Sequence, residues 1–264
     1  MAERALLWRI KLSRSSTHFV LLFGTMHSGT QNAVHHVAAI KPFIHQCTTY
    51  YGETDLDSSM INSVSSKSVS GWHGLRSIIN ATTYHKSRHI LLHRCNLDLD
   101  HIETLPPMIL NTLIGEYLMP QSDHQALDLI LWKYAAAYGL TVKGLESAEE
   151  QQIIYKKIPL NYQIQQIKWN IKHITFSNRL LHRLNSAYLN QDIDQLLKLS
   201  RSSLGPVRSI LLKDRNKVMA TRVVEILRKE EYAFIAIGAA HLPGLDGVLR
   251  LIKRQGGSVE AIKI

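Results

Sequence analysis

Two segments at opposite ends of the chain share one pattern. Phe19-Val-Leu-Leu-Phe-Gly24-Thr-Met-His27 and Phe234-Ile-Ala-Ile-Gly238-Ala-Ala-His241 each run an apolar strand into Gly-x-x-His. Parallel strands place their carboxyl ends on one edge of a sheet, where ligands bind, so both imidazoles could project into one crevice. Gly24 and Gly238 suit a tight turn or a close approach to a ligand, which makes them candidate substrate-binding positions. A third strand candidate, Thr48 to Tyr51, ends in Gly52-Glu53 and adds a carboxylate to the same edge. Two imidazoles and a carboxylate, His27, Glu53 and His241, form a donor set for a divalent metal with open positions, zinc among the possibilities. The same set without metal allows acid–base chemistry, with histidine as base and Glu53 orienting it.

Lys213-Asp-Arg215-Asn216 opens the helix expected before the second Gly-x-x-His strand. Arg215 offers a planar fork for a substrate carboxylate or an oxyanion, with Asn216 a supporting donor. A surface ion pair at a helix start is the competing reading. Glu146 follows a short strand, Thr141 to Leu145, and as another strand-end carboxylate could support the site, with helix-start electrostatics beside Ser147 the preferred role. His85, His89 and His93 share one helix face, but no carboxylate stands at ligand spacing, so a solvated or nucleic-acid-facing stripe is favoured.

The elements that must position these residues alternate. Ala5 to Leu12 and His18 to Phe23 read as a hairpin whose second strand is buried on both faces. Residues 33–45 suit a helix, and Thr48 to Glu53 suits a strand. A Ser- and Asn-rich connection runs from Asp57 to Ser70, and residues 74–119 look helical. A helix over 126–138 closes at Gly139, and Ser147 with Glu150 forms a capping box. A long helical stretch covers 161–189, a helix runs over 208–229, and the last strand spans 259–264. This order predicts one α/β domain over residues 1–264. Its core is a mostly parallel sheet flanked by helices, with helical insertions at about 74–123 and 161–205.

Composition narrows the class. The chain has 264 residues, 31 Lys+Arg against 21 Asp+Glu, a net charge of +10 and 2 Cys. This excludes disulfide-dense, disordered and collagen-like proteins. The basic surface attracts anions, but no nucleic-acid motif accompanies it. No apolar run reaches the roughly 18 residues of a membrane span, and Arg9 and Lys11 interrupt any export signal. A cytoplasmic protein is the expectation.

Taken in order, the two Gly-x-x-His units, Tyr51-Gly-Glu-Thr-Asp55, Gly144-Leu-Glu-Ser-Ala-Glu-Glu-Gln151, Asp214-Arg-Asn216 and Gly238-Ala-Ala-His-Leu-Pro-Gly244 resemble the TraB/GumN family. That family includes the TraB/PrgY and TIKI branches. The resemblance implies a fold related to erythromycin esterase-like and ChaN-like proteins, with the paired histidines and Glu53 in one cleft. It also implies a metal-dependent peptidase, with manganese or cobalt as the metal. The expected activity is therefore hydrolysis of a peptide or small molecule by a metal held at His27, Glu53 and His241, with Glu53, Arg215 and Asn216 catalytic. The alternative is a protein that sequesters a peptide or small ligand in the same cleft without turnover.

Overall fold

A computed structural model describes residues 4–13, 15–26, 31–56, 71–118, 126–229 and 232–264. The expectations for His27 and for the Ser-rich stretch 57–70 lie outside them. The chain is an α/β protein built on a six-stranded sheet of order β4-β3-β5-β2-β1-β6.

The first hairpin forms as expected: β1 (Leu7–Lys11) runs antiparallel to β2 (Phe19–Thr25), with Leu7 opposite Phe23. Parallel pairing of β2 with β5 (Tyr232–Gly238), and of β5 with β3 (Thr49–Thr54), explains why these strands read as continuous apolar runs, since helices cover both faces of such strands. β4 (Thr141–Glu146) extends the parallel set beside β3. The closing strand, β6, spans Ser258–Ile262 and lies antiparallel to β1 at the opposite edge.

Helix α1 (Gln31–Ile44) links β2 to β3. The 74–119 stretch is not one helical run but a 3-10 turn at Leu75–Ser77 followed by α2 (Ala81–Cys95), α3 (Leu99–Ile102) and α4 (Pro107–Leu118). Local chemistry sets these breaks. The Asn80 side chain accepts the Thr83 amide to start α2, and Asn96 ends it at φ 53°. Helix α5 (Leu127–Tyr138) stops at Gly139, whose φ of 95° favours a residue without Cβ. Then follow α6 (Ala148–Lys156), α7 (Leu160–Lys172), α8 (Ile174–Leu189) and α9 (Ile193–Leu204).

The expected helix over 208–229 is in fact a π-helical stretch, Ser209–Asp214, running into α10 (Arg215–Lys229). After β5 come a 3-10 turn at Ala239–His241 and α11 (Val248–Arg254). One apolar cluster fills both sides of the sheet, with Phe23, Tyr50 and Phe234 among its fully buried members. A second cluster, including Leu91, Leu110, Ile167 and Ile171, holds the helices around α2, α4 and α7 together. Among the described residues no helix is long and apolar enough to cross a membrane.

Candidate functional site

Three neighbouring strands, β4, β3 and β5, deliver Glu146, Glu53 and Gly238 to one edge of the sheet at their carboxyl ends. The first turn of α10 supplies Arg215 and Asn216, and the 3-10 turn after β5 supplies His241. Glu53, Glu146, Asn216 and His241 are all buried, at 9%, 3%, 3% and 5% exposure.

Arg215 is the centre of the arrangement. Its Nη2 donates to Glu53 Oε1 at 2.5 Å and to Glu146 Oε2 at 2.6 Å, and its Nε donates to both Glu146 oxygens at 3.1 Å. This decides between the two readings of Arg215 and corrects the preferred one of Glu146. Arg215 makes no surface ion pair, and Glu146 serves the guanidinium rather than the start of α6. Nor does Arg215 open a free helix end; it stands where the π stretch becomes α-helix, a distortion that is frequent at functional sites. Asp214 is left outside, 65% exposed, 3.5 Å from Lys217. Burial opposes the Arg215 charge, but the fields of Glu53 and Glu146 outweigh it and hold the guanidinium above its ordinary range.

Glu53 is satisfied on its other oxygen by the Gly238 amide, 2.7 Å from Oε2. Gly238 thus contributes a backbone N–H to the site. Gly24 does something else: a Cβ there would meet Leu242 Cδ1 at 2.7 Å and the Ala239 Cβ at 3.0 Å, so its role is close packing beneath the turn that carries His241. Register explains the divergence. Gly24 pairs with Ile237 and Thr25 with Gly238, so the two strand-end glycines lie one residue out of step. A one-residue offset turns equivalent positions to opposite faces.

The protonation of His241 can be deduced from its neighbours. Asn216 Nδ2 donates to the backbone carbonyl of Asp246 at 2.7 Å, an atom that can only accept. Asn216 Oδ1 therefore faces His241 Nδ1, 2.5 Å away, and must accept a proton from it. The imidazole therefore carries a hydrogen on Nδ1, and its Nε2 is turned toward Arg215 Nη1, a group that can only donate, at 3.5 Å, and Glu53 Oε1, at 3.8 Å.

Tyr155, on α6, is the site residue that sequence reasoning missed. It feels the charges of Arg215, Glu53 and Glu146, and burial raises its phenol above the ordinary tyrosine range. The only signal was indirect: the Ser147–Glu150 capping box roots α6 at the end of β4, and Tyr155 follows two turns later. That box forms as expected. Arg222 reinforces it by binding the Leu145 carbonyl at 2.7 Å and the Glu150 carboxylate. The hydrogen bond from Arg222 pulls the Glu150 carboxyl down to about 2. A depressed folded-state pKa gives stability that is complete above the unfolded value and lost as pH falls toward the folded one. Folding stability should therefore decline between about pH 4.5 and 2, and Glu150→Gln should flatten that part of a urea-midpoint-versus-pH curve. An unchanged curve would refute the linkage.

Among the described residues no group of three His, Cys, Asp or Glu side chains is placed to hold a metal. His85, His89 and His93 are exposed on α2. The His89 and His93 rings lie 4.3 Å apart. Cys47 is a buried free thiol, pushed up to about 12 by burial.

The fold and site define a class: an α/β protein with a buried carboxylate–guanidinium–imidazole cluster at the carboxyl edge of a mostly parallel sheet. The profile of the TraB/PrgY/gumN family matches residues 6–261, and the chain belongs to that family. No curated protein and no solved structure matches the chain.

Proposed function

We propose that the chain is a hydrolase acting on a peptide or small-molecule amide or ester at the cluster of His241, Glu53 and Arg215. The observation that carries this reading is the fixed tautomer of His241, whose basic Nε2 faces one carboxylate and one guanidinium. Nε2 takes a proton from water as the water oxygen attacks the substrate carbonyl, and later returns it to the leaving nitrogen or oxygen. Two carboxylates against one guanidinium leave the cluster with a surplus negative charge, which favours the imidazolium formed in that step. Arg215 Nη1, the guanidinium nitrogen not bonded to carboxylate, is the donor for the tetrahedral oxyanion. Asn216 holds the ring, Gly238 holds Glu53, and Tyr155 borders the cluster.

A metal-dependent form of the same hydrolysis has one observation in its favour. An imidazole that donates its second N–H to an outer partner, as His241 does to Asn216, is the usual state of a metal ligand. Manganese or cobalt would follow the family resemblance. The described donors, Glu53 Oε1 and His241 Nε2, do not complete a ligand set, and Arg215 already occupies Glu53 Oε1. The residue that would complete the set is His27.

The test is a library of peptides, amides and esters incubated with chelator-treated protein, with products read by mass spectrometry. Turnover that persists with chelator and disappears in Glu53→Gln supports the metal-free route. Turnover that requires added manganese or cobalt selects the metal route. Binding without turnover under both conditions would replace hydrolysis with sequestration.

A further inference from the structure

A second feature lies in the helical layer. Helices α4, α7 and α8, with Ile158 beyond the end of α6, the end of α9 and the π stretch, line a partly open cavity of about 580 Å³. This is the size of a small-ligand pocket. In a chain with 31 Lys+Arg and 21 Asp+Glu, no charged side chain lines it among the described residues. A carboxylate, phosphate or ammonium would lose its hydration there without gaining a counter-charge.

Polar groups are nevertheless built into the wall. Ser177 Oγ donates to Asn170 Oδ1 at 3.2 Å, and Asn170 Nδ2 donates to Asn111 Oδ1 at 2.6 Å. This chain fixes the Asn111 amide and leaves its N–H donors without a partner among the described residues. Gln163 is buried, and its Nε2 donates to the Ile158 carbonyl at 2.9 Å, leaving Oε1 as an acceptor. The wall thus offers one amide donor and one amide acceptor in apolar surroundings. Trp169 and Phe176, packed edge to face at 5.3 Å, line it while 43% and 55% exposed, which gives an apolar entrance.

Gly115 is an independent sign that the space is kept open. It lies within α4, where glycine weakens a helix relative to alanine. A Cβ on Gly115 would meet nothing within 4 Å, so no described neighbour demands a glycine. Gly115 lines the cavity, and a side chain there would enter open space.

We propose that this cavity binds a neutral, mainly apolar small ligand bearing an amide group, and that Gly115 keeps the volume for it. Its walls reach the charged cluster by two routes: Ile158 lies one turn beyond Tyr155, and Leu211 one turn before Arg215. Occupancy does not depend on the hydrolase reading, and it is tested by binding alone.

The experiment uses the full-length protein and N-phenyl-1-naphthylamine, a neutral apolar fluorophore, with decanamide and decanoate as competitors. The expected result is saturable binding of one probe per chain, displaced by decanamide at least tenfold more effectively than by decanoate. Gly115→Leu, checked for folding by circular dichroism, should weaken probe binding at least tenfold and raise the melting temperature. Gly115→Ala should weaken it two- to threefold, and keeps the test open if the larger side chain misfolds. Glu53→Gln should bind the probe as the wild type does, which separates the cavity from the charged cluster. Absence of saturable binding, wild-type affinity in both Gly115 variants, or equal competition by decanoate would each overturn the proposal.

Discussion

Arg215→Met should destabilise the protein by about 3–5 kcal/mol at neutral pH, because it removes the guanidinium that two buried carboxylates share. Glu53 and Glu146 are 9% and 3% exposed, and Arg215 is hydrogen-bonded to both. For a chain of this length the loss corresponds to a fall in melting temperature on the order of 10 °C. The sign of the pH dependence follows from the same cause. Without the guanidinium, two ionised carboxylates share one buried site, and acid relieves that cost by neutralising them. The deficit should therefore be largest near pH 7 and shrink as pH falls toward 4. Adding Glu53→Gln and Glu146→Gln to Arg215→Met should recover most of the stability, since a neutral cluster carries no buried unpaired charge. Denaturant titration of the single and triple variants checks this. A single variant within about 1 kcal/mol of wild type would mean that the cluster is more hydrated than its burial indicates.

Under the proposed hydrolase function, Asn216→Leu should abolish most turnover while leaving the fold intact. Asn216 is 3% exposed and is the group that fixes the proton on His241 Nδ1. Leucine has a similar shape but cannot accept that proton, so the ring becomes free to place its hydrogen on Nε2, where it no longer serves as a base. General-base catalysis is typically worth 10²–10⁴-fold, and kcat should fall on that scale with KM nearly unchanged. The unpaired Asp246 carbonyl adds a stability cost of about 1–3 kcal/mol. Imidazole ¹⁵N chemical shifts read the tautomer directly and do not require a known substrate. A His241 that keeps its hydrogen on Nδ1 in Asn216→Leu would remove Asn216 from its positioning role, whatever happens to kcat.

The candidate site was partly legible because each strand announces its own end. Glu53 and Gly238 were visible as residues directly following buried strands, and their meeting through the Gly238 amide joins positions 185 residues apart. His241 was visible from its Gly-x-x-His context, and Arg215 from its chemistry. Glu146 was visible too, but its role was misassigned, because the Ser147–Glu150 capping box next to it supplied a sufficient local explanation. Tyr155 was invisible, since a half-buried tyrosine on an amphipathic helix carries no mark of the charges it will face.

What the sequence by itself determined is local: the buried character of β2 and β5, the first hairpin, the capping box, the stop at Gly139 and the α/β alternation that makes a mostly parallel sheet. These follow from periodicity and backbone chemistry within a few residues, which no distant contact needs to supply. The tertiary structure decided the rest. The strand order β4-β3-β5 brings Glu146, Glu53 and Gly238 to adjacent positions, and the packing of α10 on that edge drops Arg215 between two carboxylates 69 and 162 residues away. Register set the one-residue offset that gives Gly24 and Gly238 different tasks. Strand order, register and helix docking are properties of the whole core, because each depends on which apolar faces fill the same space. Hydrophobic periodicity records only that a face is buried, not what it is buried against.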